Sequence, residues 1–360
     1  MPRVIPRRRR PVGGSLQRVQ KGWRGLALAA VICGGCSLLD PLNGLSDHYG
    51  QVGDGGGERD GSAGPDAAGG PDAADTDAGD AASDADAAAP PCDLTQPFAA
   101  PVPVTSLNTA EDEGSARLSP DEKTIYFDAA RAAVDPSGHY HLYTATRSSL
   151  AADFGTPVEI APTTVNDAGV DTYSPVTTDD GLTLFFERVD NGTSHLYLTK
   201  RPAGGSAASF AAPTELVGVN GGSYNANPFV RGTGAELWLA QATGTGSVAV
   251  FVASGTPPTF TPTAVPEVDA PPGTDTEYPV ITSDRKTLFT ARGTAKLDIY
   301  VAVRADPLLA FGTPTLLPNV NVASFSQHPT WVSADGCRLY LASDRPGMGG
   351  QDIYVASRPK

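Results

Sequence analysis

Five times between residues 93 and 360 the chain repeats one phrase: a turn carrying Ser, Asp or Gly, a short aromatic or β-branched strand, a polar loop, and a second strand carrying Tyr or Phe. Aligned on that second strand, the copies read HLYTATR (141–147), HLYLTKR (195–201), AVFVASG (249–255), DIYVAVR (298–304) and DIYVASR (352–358). A period of about fifty residues is the length of one four-stranded propeller blade. TIYFDAA, LTLFFER, ELWLAQA, KTLFTAR and RLYLASD precede them and read as strands. The turns SPDEK, TTDDG, RGTG, TSDRK and SADGC introduce these, with Asp bonding nearby amides and Gly tolerating positive φ. A further strand (ARLS, PVTT, PFVR, PVIT, PTWV) precedes each turn, and a fourth starts at Phe154, Phe210, Phe260 and Phe311.

The fourth-strand phrase also occurs once before any complete unit, as PFAAPVPVTSLN from Pro97 to Asn108, and its counterparts end at Asn166, Asn220 and Asn321. The last unit stops at Lys360, where its own fourth strand is due. The expectation is an all-β, five-bladed β-propeller over residues 92–360, closed by its N-terminal strand, because closure removes exposed sheet edges. Six blades would require a degenerate unit in the preceding segment, whose composition argues against it.

That segment, 37–91, is rich in Ala, Asp, Gly and Pro, and from Gly53 to Pro91 it has no aromatic residue. It cannot bury enough apolar surface to offset its conformational entropy, and its carboxylates repel, so a disordered tether is expected. Residues 1–36 read as a signal: eight basic residues, the short apolar run GLALAAVI, then Gly34-Gly35-Cys36. This resembles a bacterial lipoprotein cleavage site, which implies lipid attachment at Cys36; an ordinary secretory signal is the alternative. A zinc site at Cys33 and Cys36 lacks a second ligand pair. Similar Ala-Asp-rich tethers occur on surface lipoproteins of myxobacteria, so the resemblance implies the envelope of a Gram-negative bacterium, in the periplasm or at the outer membrane.

The formal net charge is −14, and loss of the eight basic signal residues takes it to −22. An acidic chain without a basic patch is a poor nucleic-acid binder. Cys92 and Cys337, the cysteines beyond the signal, fall by alignment in loops on one face, so they can form a disulfide across the seam. A buried free Cys337 with an exposed Cys92 is the alternative.

SPDEKTIYF (119–127), SADGCRLYLASDRP (333–346) and the two DIY strands resemble the TolB-type, or Pro-Asp, propeller repeats of periplasmic proteins. The resemblance spans roughly residues 97–360. It implies a non-catalytic module that binds an envelope protein or acts as a scaffold. The sequence is compatible with a monomer and does not fix the oligomeric state. The third blade departs from the pattern, since RGTGAELWLAQ lacks the Asp turn.

Few catalytic signatures are present. There is no G-x-S-x-G elbow, H-E-x-x-H pair or phosphate loop. His141 and His195 occupy the repeat position of Asp298 and Asp352, which favours a structural role over metal binding. One acidic constellation stands just ahead of the innermost strands: Glu111, Asp112 and Glu113, then Asp171, then Asp275 and Glu277. Placed around one channel mouth, these acids can hold a divalent cation such as calcium, attract a basic partner, or act on a glycan as paired carboxylates do in five-bladed glycoside hydrolases. No other cofactor is expected. No aromatic platform is evident near the acids from the sequence, which weakens the glycan reading.

Overall fold

In the computed structural model each repeat becomes one antiparallel sheet; the structure describes residues 92–360 except 168 and 245. Residues 1–91, which hold the expected signal with Cys36 and the whole of the expected tether, lie outside the described residues. The first strand is β1 (Val102–Pro103). Blade one follows as β2 (Asp112–Leu118), β3 (Thr124–Ala130), β4 (Tyr140–Thr146) and β5 (Val158–Glu159), and blade two as β6 (Asp171–Thr177), β7 (Thr183–Asp190), β8 (Thr193–Lys200) and β9 (Thr214–Glu215). Blade three holds β10 (Asn225–Val230), β11 (Glu236–Ala242), β12 (Val248–Thr256) and β13 (Thr259–Ala264). Blade four holds β14 (Asp275–Ile281), β15 (Thr287–Gly293), β16 (Asp298–Val303) and β17 (Thr315–Leu316). The chain ends with β18 (Gln327–Val332), β19 (Arg338–Ser343) and β20 (Asp352–Ser357).

The fifth sheet is ordered β1-β20-β19-β18, so the N-terminal strand supplies the outer edge of the last blade, as the repeat phasing predicts. Val102 pairs with Val355 and Pro103 with Tyr354. Beyond the ladder, Ala99 N donates to Ser357 O at 2.8 Å and Val104 N to Ile353 O at 2.9 Å. Cys92 and Cys337 are joined by a disulfide with Cα atoms 5.6 Å apart, across 245 residues of sequence. The inner strands β2, β6, β10, β14 and β18 neighbour one another around the ring and return from β18 to β2.

The recurring letters now have physical causes. The middle strands carry apolar residues on both of their faces because a blade packs against neighbours on both sides: Ile125, Phe127, Leu184, Phe185, Phe186, Leu237, Leu239, Leu288, Leu339 and Leu341 are all buried. In the turns before them, Ser119, Thr178, Thr282 and Ser333 donate their hydroxyls to Asp121, Asp180, Asp284 and Asp335. The same carboxylates accept the amide N–H two residues on, at 2.9–3.1 Å. Between them, Glu122 (φ 57°), Gly181 (φ 67°), Arg285 (φ 58°) and Gly336 (φ 70°) take the left-handed conformation that closes the hairpin.

The Arg ending four of the third-strand phrases has two tasks. The Nε of Arg147, Arg201, Arg304 and Arg358 donates to the carbonyl of that left-handed residue at 2.6–3.2 Å. Each guanidinium also lies over the Phe that opens the fourth strand, at 4.5 Å from Phe154, 5.7 Å from Phe210, 4.2 Å from Phe311 and 4.2 Å from Phe98. The last of these contacts joins the two ends of the domain. The Asn closing each fourth-strand phrase is a latch, because an amide both donates and accepts. Oδ1 of Asn108, Asn166, Asn220 and Asn321 accepts from Ile353, Leu142, Leu196 and Ile299 N at 2.7–2.9 Å, and Nδ2 returns a bond to the carbonyl of the same residue. Blade three has Asp269 there, which accepts from Val250 N at 3.0 Å and has no amide to donate.

A chain beginning at residue 108 loses β1, Cys92, Phe98 and Leu107, whose two apolar side chains are each 1% exposed. Removing two large core side chains and a long-range disulfide should cost at least about 5 kcal/mol. In urea titrations this shortened chain should unfold at far lower denaturant than a chain beginning at residue 91. Equal midpoints would show that the ring closes without β1.

Candidate functional site

The acids flagged in the sequence lie at the starts of the inner strands, and most are engaged in holding the ring. Asp171 Oδ1 accepts Tyr140 N of blade one at 2.8 Å, and Asp275 Oδ1 accepts Val248 N of blade three at 2.8 Å. Asp112 Oδ1 accepts Gln351 N of blade five at 2.8 Å. Ser326 Oγ takes Leu297 N at 3.1 Å across the seam from blade four to blade five, and the Ser223 carbonyl takes Ser194 N at 3.1 Å between blades two and three. Every seam thus carries one such clasp, and Asp is the residue that three of them use.

Glu113 is fully buried rather than at the mouth. It accepts from Thr109 N and Oγ1 at 2.8 and 2.6 Å and lies 3.6 Å from Arg131. Burial pushes its carboxyl above the usual range against those bonds. Glu111 Oε1 accepts Ala132 N at 2.9 Å. His141 and His195 pair with Glu159 (2.7 Å) and Glu215 (2.9 Å), outer-strand partners that explain their recurrence. Among the described residues no cluster of three or more His, Cys, Asp or Glu is arranged to hold a metal ion.

What the sequence did not reveal is a set of partly exposed tyrosines beside these acids. Tyr140 donates to Asp112 Oδ2 at 2.9 Å, and its ring centre is 4.8 Å from that of Tyr173. Tyr224 donates to Glu277 Oε2 at 3.0 Å, and Tyr278 stacks on His328 with centroids 3.8 Å apart. Tyr173, Tyr224 and Tyr278 sit on or just before inner strands, a signal available from the repeat alignment. Contrary to the expectation from sequence, aromatic surface does stand beside the acids.

A second layer of acids was also missed because it lies on middle strands that read as plain core. Each inner strand carries a bulge, and in four of them Ser115, Ser174, Asn227 and Tyr278 take φ between 41° and 54°. Asp128 Oδ2 of blade one accepts the Ser174 amide at 2.8 Å, and Glu187 Oε2 of blade two accepts the Asn227 amide at 3.2 Å. Asn227 Oδ1 in turn accepts the Tyr278 amide at 3.3 Å. Gly114 leaves the space Asp128 needs, since a Cβ there would meet its Oδ1 at 2.7 Å.

Burial raises the Asp128 carboxyl to about 6 and Glu187 to about 7, in both cases outweighing the bonds they accept. Glu277 is likewise pushed up by burial to about 7, against the bond from Tyr224. Asp128 and Glu187 are 2% and 3% exposed, whereas Glu277 keeps partial exposure. Two acid/base groups facing one bound glycan need access that Asp128 and Glu187 do not have.

No protein-family model matches the chain, and no curated protein matches it. Among solved structures it is similar to a putative TolB from Agrobacterium tumefaciens, at 13% identity and a TM-score of 0.40 over 69% of this chain and 84% of that one. It is similar to TolB from Acinetobacter baumannii at 13% identity and a TM-score of 0.38, over 69% of this chain and about half (55%) of that one. An α-L-arabinofuranosidase from Podospora anserina aligns at 12% identity and a TM-score of 0.45, over 73% of this chain and 96% of that one. TolB proteins and a glycoside hydrolase thus stand together, and likenesses this distant do not choose between them.

Glu187 provides a pH test. Its folded pKa is raised above the unfolded value, so the native state binds more protons between about 4.5 and 7 and stability falls as pH rises through that window. His328, depressed to about 3 by burial and by Arg117, acts in the opposite sense as pH falls. The difference between variant and parent isolates the Glu187 contribution. Glu187→Gln, which mimics the protonated acid, should gain on the parent by on the order of 2 kcal/mol between pH 5 and pH 8 in urea melts. A pH-independent difference would refute the raised pKa.

Proposed function

We propose that the propeller is a non-catalytic binding module that takes a basic segment of an envelope protein at the channel mouth. The supporting observation is a set of partly exposed tyrosines beside acids at the inner ends of the blades: Tyr140 on Asp112 and against Tyr173, Tyr224 on Glu277, and Tyr278 on His328, with Asp171 and Asp275 at equivalent points of the repeat. Aromatic faces attract Lys and Arg heads, and the summed field of an acidic domain steers a basic segment toward it. In this reading Cys36 carries the lipid, residues 37–91 let the propeller reach its partner, and the site is the envelope of a Gram-negative bacterium. A calcium ion bridging partner and acids is a variant of the same proposal. Membrane fractionation of Cys36→Ser tests the anchor: the variant should move to the soluble fraction.

The glycan alternative keeps one favourable observation, since tyrosine faces also suit sugar rings. A single experiment separates the two. Fluorescence anisotropy with a labelled Lys/Arg-rich peptide should show binding that weakens steeply from roughly 50 to 200 mM salt, because exposed charges are screened over about 8 Å at physiological ionic strength. Glu277→Gln should weaken it about fivefold to tenfold, the loss of one charge-assisted contact. Peptide binding indifferent to salt and to Glu277→Gln would overturn the proposal, and turnover of a glycan panel abolished by the same substitution would establish the hydrolase instead.

A further inference from the structure

The face of the ring opposite the acidic mouth carries leucines in a repeated setting. In an antiparallel blade the Asp turn and the connection from third to fourth strand lie at the same end, and the Arg that ends the third strand touches both. Its Nη1 holds the second of these. Arg147 donates to the Leu150 carbonyl at 3.4 Å, Arg304 to Leu309 at 3.3 Å and Arg358 to Leu94 at 3.2 Å. The backbone is fixed while the side chains stand in solvent: Leu150 is 50% exposed, Leu309 56% and Leu94 60%. Leu308 is 94% exposed, and its amide is held by Asp306 Oδ1 at 2.9 Å.

A single exposed leucine is ordinary on a protein surface. These four instead occupy the matching connection of blades four, five and one, which are consecutive around the ring. Blade two gives Gly205 to the same Arg donor, blade three joins β12 directly to β13, and among the described residues neither has an exposed leucine in that connection. Because the Arg bonds already order these loops, presenting the leucines to a partner costs little further entropy. The leucines stand on separate blades and form no single groove, which suits a flat, deformable partner better than a shaped peptide. Exposed Lys123 and Lys286, in the Asp turns of blades one and four, and Lys360 flank them. Apolar tips among lysines are the pattern of a surface that sits in the interfacial region of a bilayer with anionic lipids.

The path of the chain selects the same face. The Cys92–Cys337 disulfide pins the start of the propeller at the Asp turn of blade five, two residues before Leu94. Leu94 itself lies against that turn, since a Cβ at Gly336 would meet its Cδ2 at 3.2 Å. Residues 1–91, with the apolar run GLALAAVI, therefore join the ring on the leucine side.

We propose that the arc of blades four, five and one is a membrane-docking face, which rests on a bilayer through Leu94, Leu150, Leu308 and Leu309 and turns the acidic mouth away from it.

The test uses the full chain with Cys33→Ser and Cys36→Ser, so that neither a lipid nor a spare thiol enters the result, and vesicles of phosphatidylethanolamine and phosphatidylglycerol. A solvent-sensitive fluorophore on Leu308→Cys should shift to the blue when vesicles are added, and one on Ser137→Cys, in the β3–β4 connection at the mouth end, should not. Leu308→Ser with Leu309→Ser should weaken vesicle binding by about tenfold or more, the loss of two apolar contacts. An unchanged emission at position 308, equal shifts at 308 and 137, or vesicle binding indifferent to the double substitution would overturn the proposal. So would self-association in the absence of vesicles that the double substitution abolishes, which would assign the face to a second copy of the chain.

Discussion

A ring of sheets is stable only if its last sheet is completed, and here three bonded contacts do this: the β1–β20 ladder, the Asn108 latch on Ile353, and the Cys92–Cys337 disulfide. They join residues 245 to 253 positions apart, so each must overcome a large loop-closure entropy before any contact rewards it. Phe98 adds the apolar component. It is buried under Arg358 and packs edge-on against Phe289 of the neighbouring blade with ring centres 6.2 Å apart. Without this closure β20 would present an unpaired edge, and the inner strands would lose the return from β18 to β2.

The same demand explains why polar residues recur where a reader looks for chemistry. Each seam must satisfy backbone amides at a blade's inner end, and Asp112, Asp171 and Asp275 do so with acceptors that Ser326 and the Ser223 carbonyl provide elsewhere. One layer deeper, Asp128 and Glu187 accept the amides exposed by the inner-strand bulges. Their raised pKa values follow from burial in that structural task. Perturbed carboxylates near a channel are candidates for catalysis, yet these two are committed to the backbone, and in the function we propose it is Glu277 with the tyrosines that meets a ligand.

The fold was legible because the repeat states it several times over: the Asp turn, the terminal Arg, the opening Phe and the closing Asn each recur at a fixed place. Even the early copy of the fourth-strand phrase located the seam. The site was legible only in part. Asp112, Asp171 and Asp275 stood out by position, but their hydrogen-bond partners lie on a neighbouring blade and cannot be read from a local pattern. Asp128 and Glu187 hide in strands otherwise spelled as core. Arg117 replaces an apolar residue that Val176, Phe229, Val280 and Trp331 supply in the other blades, a departure visible in the alignment whose meaning depends on what surrounds it.

Closure by β1 and the integrity of the whole ring are, on these contacts, one cooperative event. Native-state hydrogen exchange tests this directly at the Val104 amide, bonded to Ile353 O, and the Ile353 amide, bonded to Asn108 Oδ1, against the Leu239 amide in the middle strand of blade three. All three should exchange only through global unfolding, with one opening free energy and one denaturant dependence. Exchange of Val104 and Ile353 through a low-energy local opening, while Leu239 stays fully protected, would contradict it.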